Sequence, residues 1–149
     1  MYRHLLAPID CTDEARRAAL QLVRHFASVP ACRVTLAATI SPSPSPEIRH
    51  KKVRHARAAL DGIGEILHGY GVYTTRRILE GADAAAALAD EARSPGEVYD
   101  VIVLGAYQTR PDEEDEAPPC RGSLADRICR RTHVPVVVLP APAAGAPTA

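Results

Sequence analysis

The chain has 149 residues, of which 46% are hydrophobic and 4% aromatic, and its 18 Lys and Arg balance its 18 Asp and Glu. That length suits one domain with a single core, and the apolar fraction excludes wholesale disorder. Zero formal charge leaves no electrostatic footprint for nucleic acid or a membrane surface, and the few aromatics, with no Trp, exclude a base-stacking platform.

The first element is the apolar run Leu5-Leu6-Ala7-Pro8-Ile9, which reads as a strand buried on both faces. Pro8 removes one ladder donor, so it belongs near the end of that strand, just before Asp10. Thr12-Asp13-Glu14 starts a helix, with a hydroxyl cap and acids in the first turn. Ala15, Ala18, Ala19, Leu22, Val23 and Phe26 form its apolar face, and it ends before Pro30. A second strand spans Arg33 to Ile40. The Ser-Pro alternation from Ser41 to Pro46 predicts an extended surface loop. A long helix runs from Glu47 to Gly69, with Val53, Ala56, Leu60, Ile63 and Leu67 inward. Its stop is the Gly69–Gly71 segment, with glycine in the left-handed capping position.

A third strand covers Val72 to Leu79, and Asp83 caps an Ala-rich helix from Ala84 to Arg93. The run Val101-Ile102-Val103-Leu104 makes a fourth strand ending at Gly105. A fourth helix starts at Ser123, with Asp126 completing a variant capping box and Leu124, Ile128 and Cys129 facing inward. The fifth strand is Val134 to Leu139. Residues 141–149 are Pro/Ala-rich and expected to be a disordered tail beyond a single domain at 1–140.

Strict strand–helix alternation predicts an α/β fold: an open five-stranded parallel sheet with helices on both faces, in the order 3-2-1-4-5. In such a sheet strands one and four flank the switch point, where ligands collect at the carboxyl ends of the strands. Pro8 and Asp10, Thr39, Leu104 and Gly105, and Gly122-Ser123-Leu124 should all converge there. Asp10 would accept hydrogen bonds from a base or ribose edge. Gly105 and Gly122 would let backbone approach phosphate, and the Ser123 hydroxyl with the amides behind it would donate to it. An ordinary turn and helix cap would use the same residues.

The chain to Leu139 resembles the universal stress protein (UspA-like) family. The matching residues are Leu5–Asp10 with Thr12 and Ala15, Leu79-Glu80-Gly81, Tyr99–Gly105, Gly122–Ile128 and His133–Val138. The resemblance implies the Rossmann-like fold of adenine nucleotide alpha hydrolase-like proteins and a homodimer joined along the fifth strand, Val134–Leu139. For one branch of the family it also implies ATP, with Mg, in the crevice. That branch carries Gly-x2-Gly-x9-Gly-Ser/Thr; Gly105 matches its first glycine and Gly122-Ser123 its last pair. Pro8, Asp10, Thr39, Leu104 and Leu124 occupy its other nucleotide-contacting positions.

Four departures bear on that site. Gln108 replaces the second glycine, the spacer to Gly122 is four residues longer, and it holds Asp112-Glu113-Glu114-Asp115-Glu116. A Gln at a left-handed glycine position forces another loop path. Acids beside a triphosphate repel it: at an effective dielectric of about 20, two unit charges ~4 Å apart interact by roughly 4 kcal/mol. Cys11 also stands where a small glycine usually follows the aspartate. The reading is a cytoplasmic regulatory module with a degenerate nucleotide site. The alternative is an ATP-binding switch or slow ATPase.

No catalytic constellation and no metal site emerge, since His50 and His55 are five apart and so off one helical face. No apolar run spans a bilayer, and the apolar segment after the N-terminus is too short for a signal peptide. The four cysteines, Cys11, Cys32, Cys120 and Cys129, lack any CxxC and read as reduced thiols. A disulfide between Cys11 and Cys120 is a minor possibility, conditional on their approach. The basic stretch Arg49–Arg57 reads as a solvated helix face.

Overall fold

A computed structural model describes residues 3–9, 14–27, 31–105 and 124–139. The element order is β1 (His4–Pro8), α1 (Glu14–Phe26), β2 (Arg33–Ile40), α2 (Pro46–Gly69), β3 (Tyr73–Glu80), α3 (Ala84–Ala92), β4 (Val101–Gly105), α4 (Leu124–Cys129) and β5 (Val136–Leu139). All strand pairs are parallel, and the sheet runs β3-β2-β1-β4-β5. This is the order expected from the alternation of elements.

Alternate side chains divide between two faces, as the pleat requires. Leu5, Ala7, Val34, Leu36, Ala38, Val101 and Val103 pack with α1 and α2, whose contribution includes Leu22, Leu60 and Leu67. Leu6, Ala37, Ile102 and Leu104 pack instead with Ala85 and Leu88 of α3 and Ala125 and Ile128 of α4. β1 is buried along its whole length, which is why it carries no polar alternation. Fully burying one such Leu contributes about 1.5–3 kcal/mol.

The helix ends follow local chemistry. Ser45 caps α2, its side chain accepting from the Ile48 N–H, and Pro46 occupies the first turn. The extended Ser-Pro segment thus stops at Ser45, because proline's missing N–H costs nothing at a helix start. Gly71 adopts φ +79° after α2, as expected of the capping glycine. Asp83 accepts from the Ala85 N–H at the start of α3. Gly64, in α2, leaves room for the Arg76 guanidinium, which a Cβ there would strike. Arg76 reaches on to Asp61 at 3.1 Å.

Two expectations need correction. Cys129 is exposed rather than inward; α4 has six residues and buries Ala125 and Ile128, one turn apart, so Cys129 falls outside that narrow stripe. β5 begins at Val136, not Val134. The preceding residues turn: the Val134 N–H donates to Thr132 Oγ1, and the Pro135 carbonyl accepts from Ile102.

The β1–β4 pairing is short. It runs Leu5↔Val101 and Leu6↔Ile102, whereas β1 pairs with β2 from His4 to Pro8. Backbone alternation explains the difference. The Arg3 carbonyl and the Ile9 N–H bond across to β2, while the His4 carbonyl accepts from Asp100 on the β4 side. Pro8 is an even step from His4, so the N–H it lacks is one that would have faced β4. The hydrogen-bonded ladder between the two central strands therefore stops short of their carboxyl ends.

Replacing Pro8 by Ala restores that donor. The expected result is a new amide protected from hydrogen exchange like its ladder neighbours. Stability should change little, because a hydrogen bond of about 0.5–1.5 kcal/mol offsets roughly 0.4–1 kcal/mol of lost unfolded-state restriction. Free exchange at Ala in position 8 would show that the ladder ends at Leu6↔Ile102 for another reason.

Candidate functional site

The carboxyl ends of β1 and β4 lie side by side where the strand order reverses, the position at which open α/β sheets bind ligands. Pro8 forms one lip and Gly105 the other, at the ends of their strands. Thr39 is half-buried, one residue from the end of β2. It alternates with Leu36, Ala38 and Ile40, so it faces the α3/α4 side with Leu104. Leu104 has no exposed surface and belongs to the cluster with Leu6, Ile102 and Ile128. Leu124 is half-buried at the first turn of α4. Five of the eight expected site residues are thus brought to one edge. Asp10, Gly122 and Ser123 lie outside the described residues. So do Cys11, Gln108, Cys120 and the acidic run at 112–116, and with them the possible Cys11–Cys120 approach.

Charges around this edge are held in pairs. Arg49 at the start of α2 grips Glu80 at the end of β3, with Nη2 to Oε2 at 3.0 Å. Lys52 donates to the Ser41 hydroxyl at 2.8 Å. Asp83 takes Arg127 at 3.4 Å and Arg131 at 3.3 Å, tying the start of α3 to α4. The basic stretch of α2 is therefore partly tied to its own sheet edge. Among the described residues no group of three or more His, Cys, Asp or Glu could hold a metal ion.

The sequence reading missed a second polar assembly, at the amino ends of the strands. His4 is buried, and its Nε2 lies 2.7 Å from Thr35 Oγ1, which lies 2.7 Å from Thr75 Oγ1. His4 Nδ1 lies 3.0 Å from the Val98 carbonyl and 3.1 Å from Arg33 Nη2. Arg33 pairs with Glu97 at 3.2 Å. Beside it the Tyr99 hydroxyl donates to buried Glu91 at 2.7 Å, and Arg77 closes on the same carboxylate at 3.0 Å. Burial, then the bond to Glu91, pushes the Tyr99 phenol well above its usual range. Asp100 accepts from the Arg3 and His4 amides, which hold its carboxyl below the usual range. These groups are polar residues inside apolar patterns: a His opening β1, a Thr in β2, a Glu in an Ala-rich helix. That was the available signal, and each partner is remote in sequence.

The family model for the universal stress protein family matches residues 1–140. The chain belongs to the universal stress protein family. No curated protein matches it. Among solved structures, the hypothetical protein MJ0577 superposes with a TM-score of 0.74 at 21% identity, over 97% of this chain and 99% of that one. A universal stress protein in complex with cAMP gives 0.68 at 18% identity, over 93% and 97%. The Archaeoglobus fulgidus universal stress protein in complex with dAMP gives 0.67 at 15%, over 93% and 98%. At these identities the likeness is one of fold, and it agrees with the strand order seen here. Among the described residues no helix is long and apolar enough to cross a membrane.

His4 makes stability depend on pH. Burial, then the Arg33 charge, lowers its pKa below the ordinary 6.5. The folded state thus favours neutral imidazole. Its contribution is fully present above about pH 6.5 and is lost as pH falls from there toward the lowered folded value. Urea midpoints should drop between pH 7.5 and 5.5, and His4→Gln should flatten that drop. An unchanged slope in the variant would assign the pH dependence to other groups.

Proposed function

We propose that this universal stress protein is a cytoplasmic regulatory module. It works as a homodimer joined along β5, and its crevice takes an adenine nucleoside monophosphate in preference to ATP. The observation that carries this reading is the strand order β3-β2-β1-β4-β5, which sets Pro8 and Gly105 at the carboxyl ends of the two strands flanking the switch point, with the β1–β4 ladder ending at Leu6↔Ile102. Thr39 stands at the same edge, and Asp10 follows β1 in sequence, so the nucleoside side retains its residue types. The phosphate side is changed: Gln108 and the acidic spacer replace the short glycine loop that would wrap a triphosphate. Similar structures carrying cAMP and dAMP support a one-phosphate ligand. No catalytic step is assigned.

The ATP reading keeps one observation in its favour. Gly105 ends β4, where the ATP-binding branch has its first glycine. In that reading Gly105 and the Gly122-Ser123 pair would hold the phosphates, and Mg would neutralise part of their charge.

Melting with AMP, cAMP and Mg-ATP separates the two. A ligand at 100 times its Kd stabilises by about 2.7 kcal/mol, a rise of several degrees for a chain of this size. AMP or cAMP should raise Tm more than Mg-ATP at equal concentration. A larger shift with Mg-ATP would overturn the altered-cradle reading, and no shift with any nucleotide would remove ligand binding from the proposal.

The dimer rests on the outer edge of β5, where Val138 is 43% exposed and the described residues pair β5 with β4 alone. Sedimentation should give a dimer that Val138→Asp converts to monomer. A monomeric parent protein would end this part of the reading.

A further inference from the structure

One cavity bounded by described residues lies apart from the nucleotide crevice. It is a cleft of about 970 Å³ at the opposite, amino end of the sheet, within the range of small-molecule sites. α1 contributes Phe26, the turn after α2 contributes Val72, the start of β3 contributes Tyr73, and the loop before β4 contributes Glu97, Val98 and Asp100. Tyr73 is 65% exposed and Val98 78% exposed. Two large apolar side chains of the lining, one beside β3 and one beside β4, thus stand uncovered, a cost that an apolar ligand would remove.

The charges in the lining define what can enter. Arg3 and Arg33 face Glu97 and Asp100, two cations against two carboxylates. Arg33 is already engaged by Glu97, and Asp100 Oδ2 by two backbone amides. An ion would find no surplus opposite charge. The carboxylates still offer lone pairs at the margin of an apolar wall, which suits a hydrogen-bond donor. Cys32, buried in the lining, has its thiol pushed up by burial and so contributes volume rather than a nucleophile. Ala31, also in the lining, holds φ +61°. Left-handed backbone at a residue with a Cβ is costly and concentrates at ligand-binding positions.

We propose that this amino-end cleft is a second ligand site, taking an uncharged, ring-bearing small molecule with one N–H or O–H donor. The ring lies between the Phe26 and Tyr73 walls, and the donor meets Glu97 or Asp100. The site is separate from the nucleotide crevice, so both can be filled at once.

Indole is the probe, with benzoate as its charged counterpart, titrated into the full ¹⁵N-labelled chain with and without saturating AMP. Saturable shifts at the amides of Tyr73, Gly96 and Val98 are expected with indole, unaltered by AMP, and at least tenfold weaker binding with benzoate. Gly96→Trp should abolish them, since a Cβ at Gly96 meets nothing within 4 Å and a large side chain can grow into the cleft. Should that variant fold poorly, Tyr73→Ser, at an exposed position, should weaken indole about fivefold. Benzoate binding as well as indole would overturn the ligand class. Indole shifts confined to the amides of Ile9 and Gly105, or none, would overturn the site.

Discussion

The structure depends on β1 being enclosed on every side. It has β2 and β4 as sheet neighbours and helices above and below, and each of its side chains is buried. Such a strand has no solvent to satisfy its backbone, so its ladder must be complete or deliberately ended. Pro8 ends it on one side only. β2 continues to accept the chain through the Ile9 N–H, while β4 is released. A single missing donor thus ends the ladder on the β4 side alone, at the place where strand order reverses.

The two ends of the sheet are built differently. At the carboxyl end, the charged groups described are paired along the periphery, leaving the central lips to Pro8 and Gly105. At the amino end, polar groups enter the interior and satisfy one another: His4 with Thr35, Tyr99 with Glu91, Asp100 with main-chain amides. Buried polar groups of this kind are tolerable only when each has a partner. They tie β1, β2, β3 and the residues before β4 to one another at this end of the sheet.

Much of this was legible in the sequence. Continuous apolar runs gave β1 and β4, and spacing gave the inner stripe of α2, with Leu60, Ile63 and Leu67 all buried. Asp83 and Gly71 announced their helix ends by residue type alone. Other features were out of reach. That Pro8 faces β4 rather than β2 follows from backbone phase, which no residue type encodes. Cys129 was misplaced because a six-residue helix offers too few turns to define a stripe. His4 and Asp100 are 96 residues apart, and only the parallel crossover brings them together. For the crevice, residue types came from the sequence and the adjacency of the two strand ends from the structure.

The short α4 has a consequence for energetics. One and a half turns cannot hold a helix by backbone bonds alone, and α4 anchors itself with Ala125, Ile128 and the Asp83 bridges from Arg127 and Arg131. It is therefore a segment of low local unfolding free energy beside a well-buried strand. A ligand that engages its first turn would spend part of its binding energy on suppressing that local opening. Affinity at the crevice and the population of an ordered α4 would then be two readings of one equilibrium, with the Asp83 bridges setting where it lies.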